Sequence, residues 1–189
     1  MGVRVFAKCA GEKVSLQLNG KEVAGSPAMI NRGTEFMASF QVPYTAGKLT
    51  ASCPGGETNA KATRTFTTAK VPAKLVVSAD RPSISAYRGD LSYVTVTVVD
   101  ADGVPIPEAR VAIDFVVSGD GELAAVGTGD PTDVSSFHVP HRTTWMGSAV
   151  AILRPTTTTA GTIKLTATAA GLTSGSVSVA TTPLKAGEL

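Results

Sequence analysis

The side chains that could do chemistry are concentrated between residues 124 and 155, which we expect to form one long loop. The stretch holds both histidines of the chain, its only tryptophan and two oppositely charged residues: Asp130, His138, His141, Arg142 and Trp145. Histidine beside a carboxylate can transfer protons, and an aromatic ring with polar neighbours can bind a sugar. The residue types therefore raise two functions, acid–base catalysis and carbohydrate binding.

Catalysis by a nucleophilic serine is not indicated. Ser135 or Ser136 would have to combine with His138 and Asp133, but residues this close in sequence rarely reach triad geometry. The sequence also lacks a Gly-x-Ser-x-Gly nucleophile elbow. We therefore predict no Ser-His-Asp site in this chain.

A carboxylate pair of the glycosidase type is not indicated either. Such a pair flanks the scissile bond, and one of its two carboxyl groups has a raised pKa. Several aspartates of this chain stand beside glycine, proline or strand ends: Asp90, Asp100, Asp102, Asp120 and Asp130. Aspartate in those positions usually stabilises a turn through backbone hydrogen bonds. We expect structural roles for these residues and predict that no residue of the chain is catalytic.

The sequence carries no metal or cofactor motif. Cys-x-x-Cys, His-Glu-x-x-His and clusters of histidine with cysteine are all missing, so no metal site is predicted. The segment "GTGDP" (127–131) has neither the spacing nor the following helix of a phosphate-binding loop, so no cofactor is predicted. Cys9 and Cys53 are the only cysteines. A disulfide between them is conceivable, but free, half-buried cysteines are favoured.

Three interpretations of the 124–155 stretch stay open. The favoured one packs Trp145 at the edge of a domain core. The second makes the stretch a contact with another domain, and the third makes it a sugar-binding surface. The candidate contact residues are Asp130, His141, Arg142 and Trp145. Only 5% of the residues are aromatic, which argues against a carbohydrate-binding platform.

Composition indicates the fold class. Strand-forming residues dominate, broken by 19 glycines and 11 prolines, and no stretch has helical periodicity. We predict an all-β chain of two tandem immunoglobulin-like β-sandwich domains, at residues 1–70 and 71–183, followed by a frayed tail at 184–189. The net charge of +2 comes from scattered basic residues, so no nucleic acid is expected as a partner. No apolar run reaches the roughly 18 residues of a membrane span.

Local signals locate several strands. Asn19-Gly20 supplies the two positive φ angles of a type I′ hairpin turn. In the second domain, "AKLVVSAD" and "SISAYRG" are expected to form a first strand and its continuation after Pro82. The run "DLSYVTVTVVD" predicts a strand with two alternating faces. One face carries Leu91, Tyr93, Thr95, Thr97 and Val99, and the other carries Val94, Val96 and Val98.

The two halves resemble one family. "VRVFAKCAGEKVSLQLNGKEV" and "FQVPYTAGKLTASC" resemble a small β domain that follows the catalytic barrel in many bacterial family 2 glycoside hydrolases, the β-galactosidase group. "DLSYVTVTVVDADGVPIP", "GDGELAAVGTGDP" and "AGTIKLTATAAGL" resemble the immunoglobulin-like C-terminal domain of the same enzymes. The resemblance covers residues 3–180. Thr128 stands where the family usually has asparagine, which weakens any polar role at that position.

The resemblance implies a periplasmic or secreted bacterial parent that hydrolyses a β-galactoside or similar glycoside with retention. Its catalytic glutamates would lie in a (β/α)₈ barrel, which needs about 250 residues and is not contained in this chain. The sequence also enters a strand directly after Met1, which is typical of a piece of a longer protein. We expect a non-catalytic accessory fragment whose partner is the absent barrel. The alternative is a stand-alone carbohydrate-binding or adhesion module.

Overall fold

Strands form almost all of the regular structure. The computed structural model describes residues 1–53 and 62–184, and in this part of the chain the only helical segments are two short 3₁₀ turns. The predicted all-β class is therefore confirmed. Contacts divide the chain into two units, Met1–Thr68 and Ala69–Leu189. Of the predicted frayed tail, residues 185–189 lie outside the described residues. No described helix is long and apolar enough to cross a membrane.

The first unit is built from two antiparallel sheets. Its described strands are β1 (Gly2–Phe6), β2 (Lys13–Leu18), β3 (Lys21–Glu22), β4 (Ala28–Met29), β5 (Met37–Gln41), β6 (Lys48–Cys53) and β7 (Ala62–Thr67). β1 pairs with β5, and the second sheet has the order β3-β2-β6-β7, with β4 pairing to the start of β2. Apolar side chains of both sheets share one core, centred on Val14, Leu16, Phe40 and Val42.

The predicted hairpin at Asn19-Gly20 is confirmed. Asn19 has φ 51° and Gly20 has φ 80°, as a type I′ turn requires. The turn joins β2 to β3, with Leu18 opposite Lys21. The Asn19 side chain also accepts a hydrogen bond from the Lys48 amide at 2.8 Å, which connects the turn to the start of β6.

Cys9 and Cys53 form a disulfide, with their Cα atoms 5.5 Å apart, so the expectation of free cysteines was wrong. Cys9 follows β1 and Cys53 ends β6, and both side chains belong to the core of the first unit. The two residues are 44 positions apart in sequence. Their proximity follows from the packing of β1 against the sheet that contains β6, which residue spacing alone does not reveal.

The second unit is a two-sheet sandwich. Its described strands are β8 (Lys74–Ala79), β9 (Ser83–Ser85), β10 (Ser92–Val99), β11 (Ala112–Gly119), β12 (Gly121–Gly127), β13 (His141–Thr143), β14 (Ser148–Pro155), β15 (Gly161–Thr168) and β16 (Gly175–Thr182). One sheet has the order β12-β14-β10-β8 and the other has the order β13-β11-β15-β16-β9. Inward-facing apolar residues of the two sheets form one core, as in an immunoglobulin-like domain.

β10 supplies the centre of this core. The predicted strand is confirmed. Its residues Val94, Val96 and Val98 are fully buried and share one cluster with Ile113, Phe115, Ile163 and Leu165 of the opposite sheet. The expected continuation after Pro82 was wrong, because β8 and β9 belong to different sheets. β8 pairs with β10, whereas β9 pairs in parallel with β16. Proline interrupts the strand, and the chain crosses the sandwich at that point.

Asp120 closes one end of the sandwich. Gly119 before it has φ 88°, and a Cβ there would collide with the carbonyl oxygen of Thr162, so only glycine fits. The Asp120 amide donates to that carbonyl at 3.0 Å, and its carboxylate accepts from the Thr162 amide at 3.1 Å. Its own carbonyl accepts from the Thr156 amide at 3.0 Å. One turn residue therefore bonds to segments that extend from both sheets.

Neighbouring residues of β11 allow a matched test of the core. Phe115 is 3% exposed and Val116 is 60% exposed. Phe115→Ala is expected to lower the free energy of unfolding of the second unit by about 3–5 kcal/mol, because it opens a cavity. Val116→Ala is expected to change it by less than about 0.5 kcal/mol. Urea unfolding followed through the fluorescence of Trp145 measures both, and equal losses would contradict the assigned faces.

The disulfide gives a test of the first unit. Replacing both Cys9 and Cys53 by serine is expected to destabilise this unit by about 3–4 kcal/mol, the chain-entropy value for a loop of this length. Hydrogen exchange of the β2 amides should accelerate accordingly, while the unfolding of the second unit stays unchanged. As a check, the wild-type chain is denatured without a reductant and treated with a thiol reagent. Reaction of both cysteines would show that the disulfide does not form.

Candidate functional site

Residues 124–155 are not one long loop, so that expectation was wrong. The stretch contains the end of β12 and the whole of β13 and β14. The irregular segment between β12 and β13 covers residues 128–140. β13 pairs with β11, with Arg142 opposite Ile113. Its sequence His-Arg-Thr carries no apolar alternation, because the residue that points inward is an arginine, and pattern reasoning therefore missed the strand.

Arg142 holds the loop against β12. Its side chain is 4% exposed overall, and the guanidinium donates to Asp133 Oδ2 at 2.7 Å. It also donates to the carbonyl oxygens of Ser136 at 2.6 Å and Val126 at 3.3 Å. Burial of a charge is tolerated when it is paired and hydrogen-bonded in this way. The guanidinium of Arg142 is thus directed inward, and its role as a contact with another domain or a sugar stays a prediction.

Asp133 and Asp130 are both held in the ionised state. Hydrogen bonds from Ser135, aided by the Arg142 guanidinium, lower the pKa of Asp133 from 3.8 to about 2. Hydrogen bonds from the hydroxyl and amide of Thr132, aided by Arg110, hold the pKa of Asp130 below its usual range. Groups that stabilise the charged form produce such shifts. Neither residue can therefore act as a proton donor near neutral pH.

Arg110 covers the tryptophan. Its guanidinium carbon lies 4.9 Å from the centre of the Trp145 ring, and its Nη2 donates to Asp130 at 2.7 Å. Trp145 is half-buried, so one face of the ring packs against a cation instead of offering an open platform. Sequence reasoning missed Arg110, because a single arginine before a strand carries no pattern. Thr128, the departure from the family motif, accepts a hydrogen bond from the Asp130 amide at 3.1 Å.

These side chains line a cleft of about 340 Å³ on the second unit. Its principal lining residues are Arg110, Asp130, Thr132, Asp133, Ser135 and His141. The structure thus brings together three of the four candidate residues, Asp130, His141 and Arg142, whereas Trp145 lies behind Arg110. The cleft is polar, and its charges are paired internally. Its exposed imidazole and hydroxyl groups can form hydrogen bonds to a ligand or to another protein surface.

The remaining carboxyl groups with shifted pKa values also form structural hydrogen bonds. Asp100 accepts hydrogen bonds from the amides of Lys70, Val104 and Asp102, and these hold its pKa below its usual range. Arg154 does the same for Glu122. At Asp90, partial burial opposes the shift, but hydrogen bonds from the Ser85 amide and Arg81 outweigh it and lower the pKa. Across residues 1–53 and 62–184, no group of three or more His, Cys, Asp or Glu side chains could hold a metal ion.

Comparisons with known proteins agree on one family. Residues 75–178 match the family described as glycoside hydrolase family 2 C-terminal domain 5, and residues 1–59 match a domain of unknown function, DUF4982. Beta-galactosidase BoGH2A from Bacteroides ovatus is 34% identical over 105 residues, which are 56% of this chain and 12% of that protein. The chain thus spans a small part of this curated relative.

Solved structures resemble nearly the whole chain. A glycosyl hydrolase family 2 member from Bacteroides cellulosilyticus superimposes with a TM-score of 0.83 at 30% identity, covering 95% of this chain and 22% of that one. A β-glycosidase from Bacteroides vulgatus shares the fold, with a TM-score of 0.82 at 23% identity. The match covers 95% of this chain and 22% of that one. The two units therefore occur together within much longer polypeptides.

The low pKa of Asp133 gives a pH prediction. A carboxyl group whose pKa is lower in the folded state stabilises the fold above its unfolded pKa, and this contribution is lost as the pH falls. Asp133→Asn is therefore expected to be less stable than the wild-type chain at pH 7. The difference should shrink as the pH falls from about 4 to about 2, between the unfolded and folded pKa values.

Urea unfolding followed through Trp145 fluorescence at successive pH values measures this difference. Val134→Ala is the control, because Val134 is a neighbouring, almost fully exposed loop residue without a titratable group. It should leave the pH profile unchanged. A constant difference between Asp133→Asn and the wild-type chain from pH 7 to pH 2 would contradict the ion pair.

Proposed function

Because the chain belongs to glycoside hydrolase family 2 through its C-terminal domain, we propose that it is a non-catalytic accessory part of a retaining, β-galactosidase-like enzyme. Its two units brace or shape a catalytic (β/α)₈ barrel that the rest of the parent polypeptide supplies. The β-galactosidase of Bacteroides ovatus, 34% identical over the matched region, supports the proposed substrate class.

One observation carries the non-catalytic role: hydrogen bonds and ion pairs engage both carboxyl groups of the cleft. A retaining glycosidase needs a nucleophilic carboxylate and, about 5–5.5 Å away, a carboxylic acid that keeps its proton near neutral pH. Among the described residues, every carboxyl group whose pKa is shifted is shifted downward. Asp130 and Asp133, which share the cleft, are engaged by Thr132, Ser135 and two arginines. This environment favours an ion-paired scaffold over acid catalysis.

Size supports the same role. The chain has 189 residues, whereas a (β/α)₈ barrel alone needs about 250 and consists of alternating strands and helices. The match covers 12% of the curated β-galactosidase and 22% of the family 2 structure from Bacteroides cellulosilyticus. We infer that the catalytic groups of the parent lie in the portion outside this chain.

The chain alone is expected not to hydrolyse nitrophenyl β-galactoside. Release of nitrophenol, measured by absorbance over the pH range 4 to 8, should equal the buffer rate, because Asp130 and Asp133 of the cleft have lowered pKa values and are paired with arginines. Turnover that disappears on Asp130→Asn or Asp133→Asn would overturn the proposal. Turnover that survives both substitutions and co-purifies with the chain would overturn the proposal as well, whereas turnover that separates from the chain on further purification belongs to a contaminating enzyme.

The rival function, a carbohydrate-binding module, is tested on the same protein. Galactose and a β-linked galactose disaccharide are titrated against the fluorescence of Trp145, which lies beside the cleft. No saturable change is expected, because Arg110 covers one face of the ring. Saturation in the millimolar range or below, abolished by His141→Ala but retained in Val134→Ala, would favour the binding module.

Bracing is tested in a chimera. In the Bacteroides ovatus β-galactosidase, the matched 105 residues are either deleted or replaced by the corresponding residues of this chain. The replacement is expected to melt at a higher temperature than the deletion, with kcat on nitrophenyl β-galactoside retained. A deletion that matches the intact enzyme in both melting temperature and KM would contradict a bracing or shaping role.

A further inference from the structure

The two sheets of the first unit have unequal widths. β1 and β5 form a two-stranded sheet, whereas the sheet that packs against it has the order β3-β2-β6-β7. Val3, Val5, Ala38 and Phe40 of the narrow sheet share a core with residues of β2 and β6, but no residue of β7 belongs to that core. Among the described residues, the narrow sheet therefore leaves the inner face of β7 uncovered.

Register shows which side chains lie on that inner face. Phe66 of β7 is opposite Leu49 of β6, and directly opposed residues of an antiparallel pair point to the same side. Leu49 packs against the core, so Phe66 points inward as well, yet it is 65% exposed. A large inward-facing aromatic side chain without cover marks an incomplete sandwich.

Two cavities of about 180 Å³ each occupy the uncovered space. Both are lined by β1 on one side and β7 on the other, with core residues of β2 and β6 beneath them. We call this space the β1/β7 slot, defined by Val5, Phe6, Leu16, Ala51, Arg64 and Phe66. Within the described residues β1 pairs only with β5, so its other edge presents unpaired amides and carbonyls beside the slot.

The charges at the slot are positive. Arg64 lies on the inner face of β7, opposite Ala51, and Arg4 borders the slot on the outward face of β1. No aspartate or glutamate is among the residues that line either cavity. These charges disfavour a second copy of the chain as the occupant. Antiparallel pairing of β1 with its own copy would centre on Arg4 and place two like charges opposite each other, which is destabilising.

We propose that an extended segment of the parent polypeptide, from outside these 189 residues, fills the β1/β7 slot as a third strand beside β1. Its apolar side chains cover Leu49 and Phe66. Its alternate side chains carry carboxylates that pair with Arg4, which lies on the outward face of β1. Backbone pairing with an open sheet edge supplies affinity, and the alternate side chains supply specificity. This proposal rests on the proposed accessory function and specifies the surface that performs it.

The test uses the whole 189-residue chain, labelled with ¹⁵N, and a blocked hexapeptide in which valine and glutamate alternate. Saturable amide shift changes are expected at Val3–Phe6, Leu49 and Phe66. A hexapeptide of alternating valine and lysine should bind at least tenfold more weakly. Arg4→Glu should reverse that preference, because it reverses the charge on the outward face of β1.

Substitutions on β7 separate the slot from the opposite face of the same sheet. Phe66→Ser is expected to weaken binding of the glutamate peptide at least tenfold. Thr65→Ser is the matched control, because Thr65 lies opposite Thr50 on the outer face and is also exposed to solvent. It should bind the peptide as the wild-type chain does.

Several results would overturn the proposal: no saturation by about 5 mM peptide, equal affinity for the two peptides, or shifts confined to Thr50 and Thr65. Shifts at β1 that depend on protein concentration without peptide would assign the slot to a second copy instead. None of these results bears on the melting temperatures of the chimera, because those temperatures are measured without peptide on a different protein. Failure of the slot is therefore distinguishable from failure of the accessory function.

Discussion

The burial of alternate side chains on β10 is the constraint on which the second unit depends. Val94, Val96 and Val98 are fully enclosed, and β10 lies between β8 and β14 in its sheet. A shift of one residue in its register would turn these valines to solvent and bring threonines into the core. The positions of the neighbouring strands, and of the turns at their ends, follow from this one register.

Arg142 is the corresponding constraint on the polar loop of the second unit. A buried guanidinium needs partners, and Asp133 together with the carbonyls of Ser136 and Val126 provides them. The same contacts fix the loop of residues 128–140 and keep Asp133 ionised. Arg142, a candidate contact residue in the sequence, is thus an electrostatic anchor for a loop.

The sequence predicted those features that rest on local rules. The Asn19-Gly20 turn, the strand β10, the all-β sandwich class and the family resemblance were all confirmed. Features that depend on distant segments escaped prediction. The disulfide needs β1 and β6 to pack together, and the crossing after Pro82 needs β16 to be in place. β13 was missed because its inward residue is charged.

The bonds made by Asp120 have a mechanical consequence. This residue is hydrogen-bonded both to Thr162, at the start of the β15 segment, and to Thr156, just beyond β14. Those strands belong to opposite sheets, so sliding one sheet over the other requires these bonds to break together. The second unit is therefore stiff against shear at this end, and a force applied to one sheet is transmitted to the other without being absorbed as internal slip.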